Sequence, residues 1–182
     1  MKRFILILIT LNLFNCYGQS DQQNNHSNKI VGGRFETGDF IYIGMPEKIN
    51  SIDTGAGWNQ NGQKLLITGT IFKRDGKTPA PDVVLYYYHT DVNGYYADRD
   101  WLDRRVVRHG YIRGWVKSDK NGKYSIYTVR PAPYPNSNFS AHIHPTIKEP
   151  GINEYYIDEF VFDDDVLLTP QNRKSLPNRG GS

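Results

Sequence analysis

From Lys64 onward the chain alternates between apolar and polar positions in short runs, and the alternation has a period of two. Residues 65–72 (LLITGTIF) and 83–89 (VVLYYYH) are rich in β-branched and aromatic side chains, which suit a pleated, half-buried surface, so each predicts a strand. The run from Lys73 to Lys77 between them is a turn, and Asn93-Gly94 marks another, tight one. Residues 111–117 and 124–129, joined by the turn from Asp119 to Gly122, predict a hairpin. Residues 141–147 predict a further strand and residues 155–162 the last. Asp163, Asp164 and Asp165 follow, and three like charges disfavour further pairing. No window shows sustained helical periodicity. Short strands at near-even spacing, with turn residues between them, predict an all-β fold of β-sandwich type.

The flanks have a different character. Met1-Lys-Arg opens the chain and an apolar run follows that is too short to span a bilayer comfortably, the pattern of an export signal over 1–19. Cys16 is the single cysteine, so no intrachain disulfide can form, and its place just after the apolar run is where a lipoprotein would be cleaved and lipidated. Cleavage after Gly18 or Gln19 is the alternative. The protein is accordingly expected to be exported: periplasmic, secreted, or anchored by lipid at the cell envelope. Residues 20–63 read as a polar leader followed by an irregular segment, rich in Gly, Asn and Asp, that covers the fold; 64–170 is the sandwich and 171–182 a polar tail. A length of 182 residues fits one domain. The formal charge of +3 includes Lys2 and Arg3 of the signal, and no basic cluster interleaved with aromatics points to nucleic acid.

Against that background His142-Ile143-His144 stands out. Residues two apart on a strand project from one face, so both imidazoles aim at one spot, as metal ligands do. The same pair also suits two hydrogen-bonded surface histidines. Tyr134, eight positions upstream in the run Arg130-Pro-Ala-Pro-Tyr-Pro135, is placed to add an anionic oxygen. A free phenol has a pKa of about 10, so binding it ionised at neutral pH requires a strong Lewis acid, and ferric iron suits phenolate oxygen.

The ordered set Gly69-x-Ile71, Asp91-x-x-Gly94-x-Tyr96, Arg113-Gly114, Asp119-x-x-Gly122-x-Tyr124, Pro131-x-Pro133-Tyr134-Pro135 and His142-x-His144 resembles the intradiol ring-cleavage dioxygenases, the catechol and protocatechuate group. The resemblance implies Fe(III) held by Tyr96, Tyr134, His142 and His144, with a hydroxide completing the shell. A shift of one residue would present Tyr95 in place of Tyr96. It further implies that a catecholic substrate chelates the iron, that Tyr134 leaves the metal and takes up a substrate proton, and that O2 enters the activated ring to give a muconate-type diacid. Two positions depart from the family pattern. Phe139 stands where the family carries an arginine three residues before the first histidine, and Glu159 where it carries a glutamine. Glu159 is expected to lie within reach of the substrate and to hold activity below that of a glutamine-bearing relative. Arg113 or Arg130 is a candidate to replace the missing cation.

The partners implied are a catecholic small molecule and O2, no nucleic acid, no membrane span, a lipid anchor at Cys16 if the lipoprotein route is used, and a homo-oligomer as one assembly state. Two other readings stand beside the enzyme. The Gly-x-Tyr rhythm is also similar to non-catalytic carboxypeptidase-regulatory or transthyretin-like modules, which have no need of Tyr134, His142 and His144. The departures at Phe139 and Glu159 also fit an iron- or catechol-binding relic of the dioxygenase fold.

Overall fold

Leu85 and Tyr87 on one side of the strand Val84–His89, and Tyr86 on the other, are all buried, so this strand lies between two layers of packing. The computed structural model describes residues 33–34, 39–177 and 179–180; the expected export signal at 1–19, with Cys16, and the polar leader at 20–29 lie outside the described residues. The elements are β1 (Gly33–Arg34), β2 (Ile52–Thr54), β3 (Lys64–Thr70), β4 (Val84–His89), β5 (Arg113–Lys117), β6 (Lys123–Val129), β7 (His142–Lys148), β8 (Tyr155–Tyr156), β9 (Phe160–Val161) and the short helix α1 (Pro170–Ser175). They form a six-stranded sheet in the order β1-β8-β7-β4-β5, with β9 also on β7, and a three-stranded sheet β2-β6-β3. The all-β sandwich is therefore the architecture.

Leu85, Tyr87, Val116, Ile126, Ile143 and Ile147 pack between the sheets. Each such burial contributes roughly 1.5–3 kcal/mol. On the opposite face of β4, Tyr86 packs with Phe40, Ile41, Leu102 and Val106 from the segments that cover the large sheet. Tyr88 and His144 lie on this covered face, paired across β4 and β7.

Four sequence expectations change. β5 and β6 do not pair with each other: β5 pairs with β4, and β6 with β3 and β2, so the turn at Asp119 carries the chain from one sheet to the other. Alternation specifies which face of a strand is buried but not which strand lies beside it, and Val116 and Ile126 satisfy the same pattern by meeting across the core. The run 155–162 is not one strand either. Its register against β7 is Ile143 with Phe160 and Thr146 with Tyr156, so Ile157, Asp158 and Glu159 stand opposite only His144 and Pro145. That is a bulge of one residue, at a place where Pro145 brings no N–H to the ladder. Finally, the expected irregular segment contains β2, parallel to β6, and the expected tail begins with a helix. Thr169 caps that helix by accepting from Asn172 N at 3.1 Å, and Pro170 starts it. Three-residue strands and six-residue helices are too short to register as periodicity.

Candidate metal centre

His142 and His144 project from one face of β7, as strand geometry requires, and their Nε2 atoms lie 3.1 Å apart. Two loops bring the phenols to them. After β4 the chain turns through Gly94, whose φ of +83° only glycine adopts without strain. Asp91 Oδ1 stabilises this turn by accepting from Asn93 N at 2.9 Å and Tyr95 N at 3.0 Å. Tyr96 follows directly. The second loop, around Pro133, is tied to the first: Ala132 N donates to Asp91 O at 3.0 Å, and Thr90 Oγ1 donates to Ala132 O at 2.7 Å. A Cβ on Gly94 would come 2.1 Å from Pro133 O, so the two loops touch backbone to backbone.

The four side chains converge. Tyr96 Oη lies 2.8 Å from His144 Nε2; Tyr134 Oη lies 3.1 Å from His142 Nε2 and 3.2 Å from His144 Nε2; and the two hydroxyls touch each other. Tyr95, by contrast, has its side chain turned outward, 60% exposed. Apart from the touching hydroxyls, the donor atoms lie 2.8 to 3.2 Å from their neighbours, close enough together for one metal ion to be held among them. His142 Nδ1 faces Ser140 O at 2.7 Å, and an N–H donated there leaves Nε2 as a bare lone pair aimed inward. Two phenolic protons cannot satisfy all the contacts among the four donor atoms, whereas a central cation can. Burial raises the pKa of both Tyr96 and Tyr134 and lowers that of His142. The phenols are therefore protonated until a strong Lewis acid displaces their protons. Among the described residues no group of three or more His, Cys, Asp or Glu side chains is arranged to hold a metal; here half the donors are phenols. The donor set fits ferric iron.

A cavity of about 370 Å³ opens beside the cluster. Tyr96, Tyr134 and His144 form part of its wall, and Tyr88, Tyr156, Arg108 and His109 complete it. Tyr88 is stacked on His144, with ring centroids 4.6 Å apart, and on His109 at 3.9 Å. Tyr88 was accessible to sequence reasoning, because alternation puts it two residues from Tyr86 on the same face. Arg108 and His109 were not, since they sit on a 3-10 turn, Arg104–His109, in a loop without pattern.

Phe139 is 71% exposed. Arg130 pairs with Asp164 through contacts of 2.6 and 2.9 Å and stacks on Phe162, while Arg113 donates to Ile43 O at 2.9 Å, so neither lines the cavity. Glu159 Oε1 stands 3.7 Å from His144 Nδ1, on the edge of the imidazole remote from the donor cluster, and its carboxylate is absent from the cavity wall. At that distance the contact is an electrostatic pairing more than a formed hydrogen bond. The His144 imidazole beside it, opposed by burial, holds the Glu159 carboxyl down to about 2.

Comparison with known proteins gives a consistent picture. A family model described as Dioxygenase matches residues 39–176. Catechol 1,2-dioxygenase of Acinetobacter baylyi is 32% identical over 95 residues, which is 52% of this chain and 30% of that enzyme's length. The structure of hydroxyquinol 1,2-dioxygenase from Pseudomonas putida DLL-E4 superposes with a TM-score of 0.56 at 25% identity, covering 79% of this chain and 53% of that one. The dioxygenase domain of a carbohydrate-binding fusion from Streptomyces sp. SirexAA-E shares the fold with a TM-score of 0.51 at 22% identity, covering 78% and 75%.

Proposed function

We propose that this chain, which belongs to the intradiol ring-cleavage dioxygenase family, is an exported iron(III)-dependent enzyme that opens a catecholic ring between its hydroxyl-bearing carbons. The observation that carries the proposal is the convergence of Tyr96, Tyr134, His142 and His144 at the wall of a cavity with room for a substituted benzene ring. When bound, ferric iron supplies the Lewis acid that takes up the catechol oxygens and draws electron density from the ring toward attack by O2.

The protein residues have separable tasks. His142 and His144 present their Nε2 atoms to one shared point; Ser140 O orients the first ring, and Glu159 and the stacked Tyr88 orient the second. Tyr96 is anchored by the Asp91 turn and serves as the persistent anionic oxygen. Tyr134 Oη, within 3.2 Å of both imidazoles, is placed to accept a proton from a substrate hydroxyl. Tyr88 and Tyr156 offer aromatic walls against which the substrate ring packs.

Phe139, exposed at the position where the family resemblance implies an arginine, favours one other reading: a site that holds iron and a catechol without turning it over. Oxygen uptake separates the two. With the iron-loaded protein and catechol, or a hydroxylated or carboxylated derivative, the enzyme consumes O2 in step with formation of a diacid. Binding of the catechol with no O2 consumption for any of them would establish the relic instead.

A further inference from the structure

Asp158 is 2% exposed, and a buried carboxylate requires a partner. That partner comes from beyond α1. Arg179 donates its backbone N–H to Asp158 Oδ2 at 2.6 Å and its Nε to Asp158 Oδ1 at 2.8 Å. The same guanidinium places Nη2 3.8 Å from Glu159 Oε2, while the other oxygen of Glu159 faces His144 Nδ1 at 3.7 Å. Both acids lie in the bulge opposite His144 and Pro145. Successive side chains alternate between faces, and here Asp158 is buried while Glu159 faces the outer edge of the imidazole.

From this continuous path we infer that Arg179 is a positioning residue for the metal centre: it ties the segment after α1 to the β8–β9 bulge and thereby holds Glu159 against the outer nitrogen of the ligand His144. The inference rests on the proposed iron site. A carboxylate behind a ligating imidazole fixes the ring's orientation and tautomer and strengthens its donation to the metal, and loss of such a partner typically costs about 10–100-fold in metal affinity. The arrangement makes affinity depend on a residue that touches neither metal nor substrate. The other pairs near this end of the chain lack that reach: Arg173 pairs with Asp163 on the surface, and both side chains are exposed.

The test has an iron-free arm and an iron-loaded arm, both on the full chain. In the iron-free protein, the imidazole 15N shifts of His144 are compared in wild type, Arg179→Ala, Arg179→Lys and the surface control Arg173→Ala. The expected result is that Arg179→Ala moves the His144 nitrogens toward a tautomer mixture, that Arg179→Lys largely restores them, and that Arg173→Ala and the remote ring of His89 do not change. In the loaded protein, competition against a chelator should show iron held about tenfold or more weaker in Arg179→Ala. Glu159→Gln combined with Arg179→Ala should be no weaker than Glu159→Gln alone. Unchanged His144 shifts in Arg179→Ala, or losses of affinity that add in full in the double variant, would overturn the inference. A wild-type protein that takes up no iron, yet shows the expected shifts, would refute the proposed function and leave the tether standing.

Discussion

At the residue scale the two histidines are the most legible part of the site. Their spacing and the period of a strand are enough to put both rings on one face, and their Nε2 atoms meet at 3.1 Å. Removing either ring should abolish tight iron binding. His142→Ala and His144→Ala are each expected to purify with iron well below one per chain, measured by elemental analysis, while the far-UV spectrum stays that of the wild type. Tyr134→Phe should keep its iron, shift the phenolate-to-metal absorption band and lose turnover by orders of magnitude, because a proton acceptor for the substrate is gone while three protein donors remain. Glu159 was legible as a position but not as an orientation, since a one-residue bulge leaves no mark in an apolar pattern. His144 and Arg179 lower the Glu159 carboxyl below the ordinary carboxylate range, so Glu159 is expected to be ionised at neutral pH. Glu159→Gln should therefore turn over several-fold faster, because a less strongly donating His144 leaves the metal more acidic. The shape of the pH–rate profile between about pH 5 and 9 should be unchanged. A titration lost from that range in the mutant would show that Glu159 is protonated there.

At the element scale, strand identity was readable and strand partnership was not. Residues 111–117 and 124–129 carry the alternation of half-buried strands, yet they lie in different sheets, because a tight turn can equally close a hairpin or bridge two layers. The two tyrosine loops were readable only through Gly94 and the proline run. Their mutual bracing depends on hydrogen bonds between Asp91, Thr90 and Ala132, to which sequence spacing is blind. Gly94 is the hinge of that bracing. Gly94→Ala forces a left-handed residue at a cost of about 1–2 kcal/mol and drives a Cβ into Pro133 O, so it should lower the melting temperature and displace Tyr96 and Tyr134 together. The expected readout is iron affinity reduced more than for Gly76→Ala, where a positive φ meets open space and only the backbone cost applies.

At the scale of the whole molecule, the buried histidines make stability depend on pH. Burial lowers His89 to about 4 and His109 to about 3, so between their unfolded value near 6.5 and those limits the unfolded chain binds more protons than the folded one. Stability should fall as the solution is acidified from about pH 6.5 toward 4, each group contributing up to about 1.4 kcal/mol per pH unit. Urea unfolding of the iron-free protein at pH 7, 6 and 5 checks this, and a stability independent of pH over that range would contradict it. Whether the four donors brought together by two loops and one strand hold iron is read from the iron content and visible spectrum of the purified wild-type protein. About one ferric ion per chain is expected, with a red solution whose colour comes from tyrosinate-to-iron charge transfer and disappears in His144→Ala. A colourless protein that stays iron-free after incubation with ferric iron, or a colour that persists in His144→Ala, would contradict it.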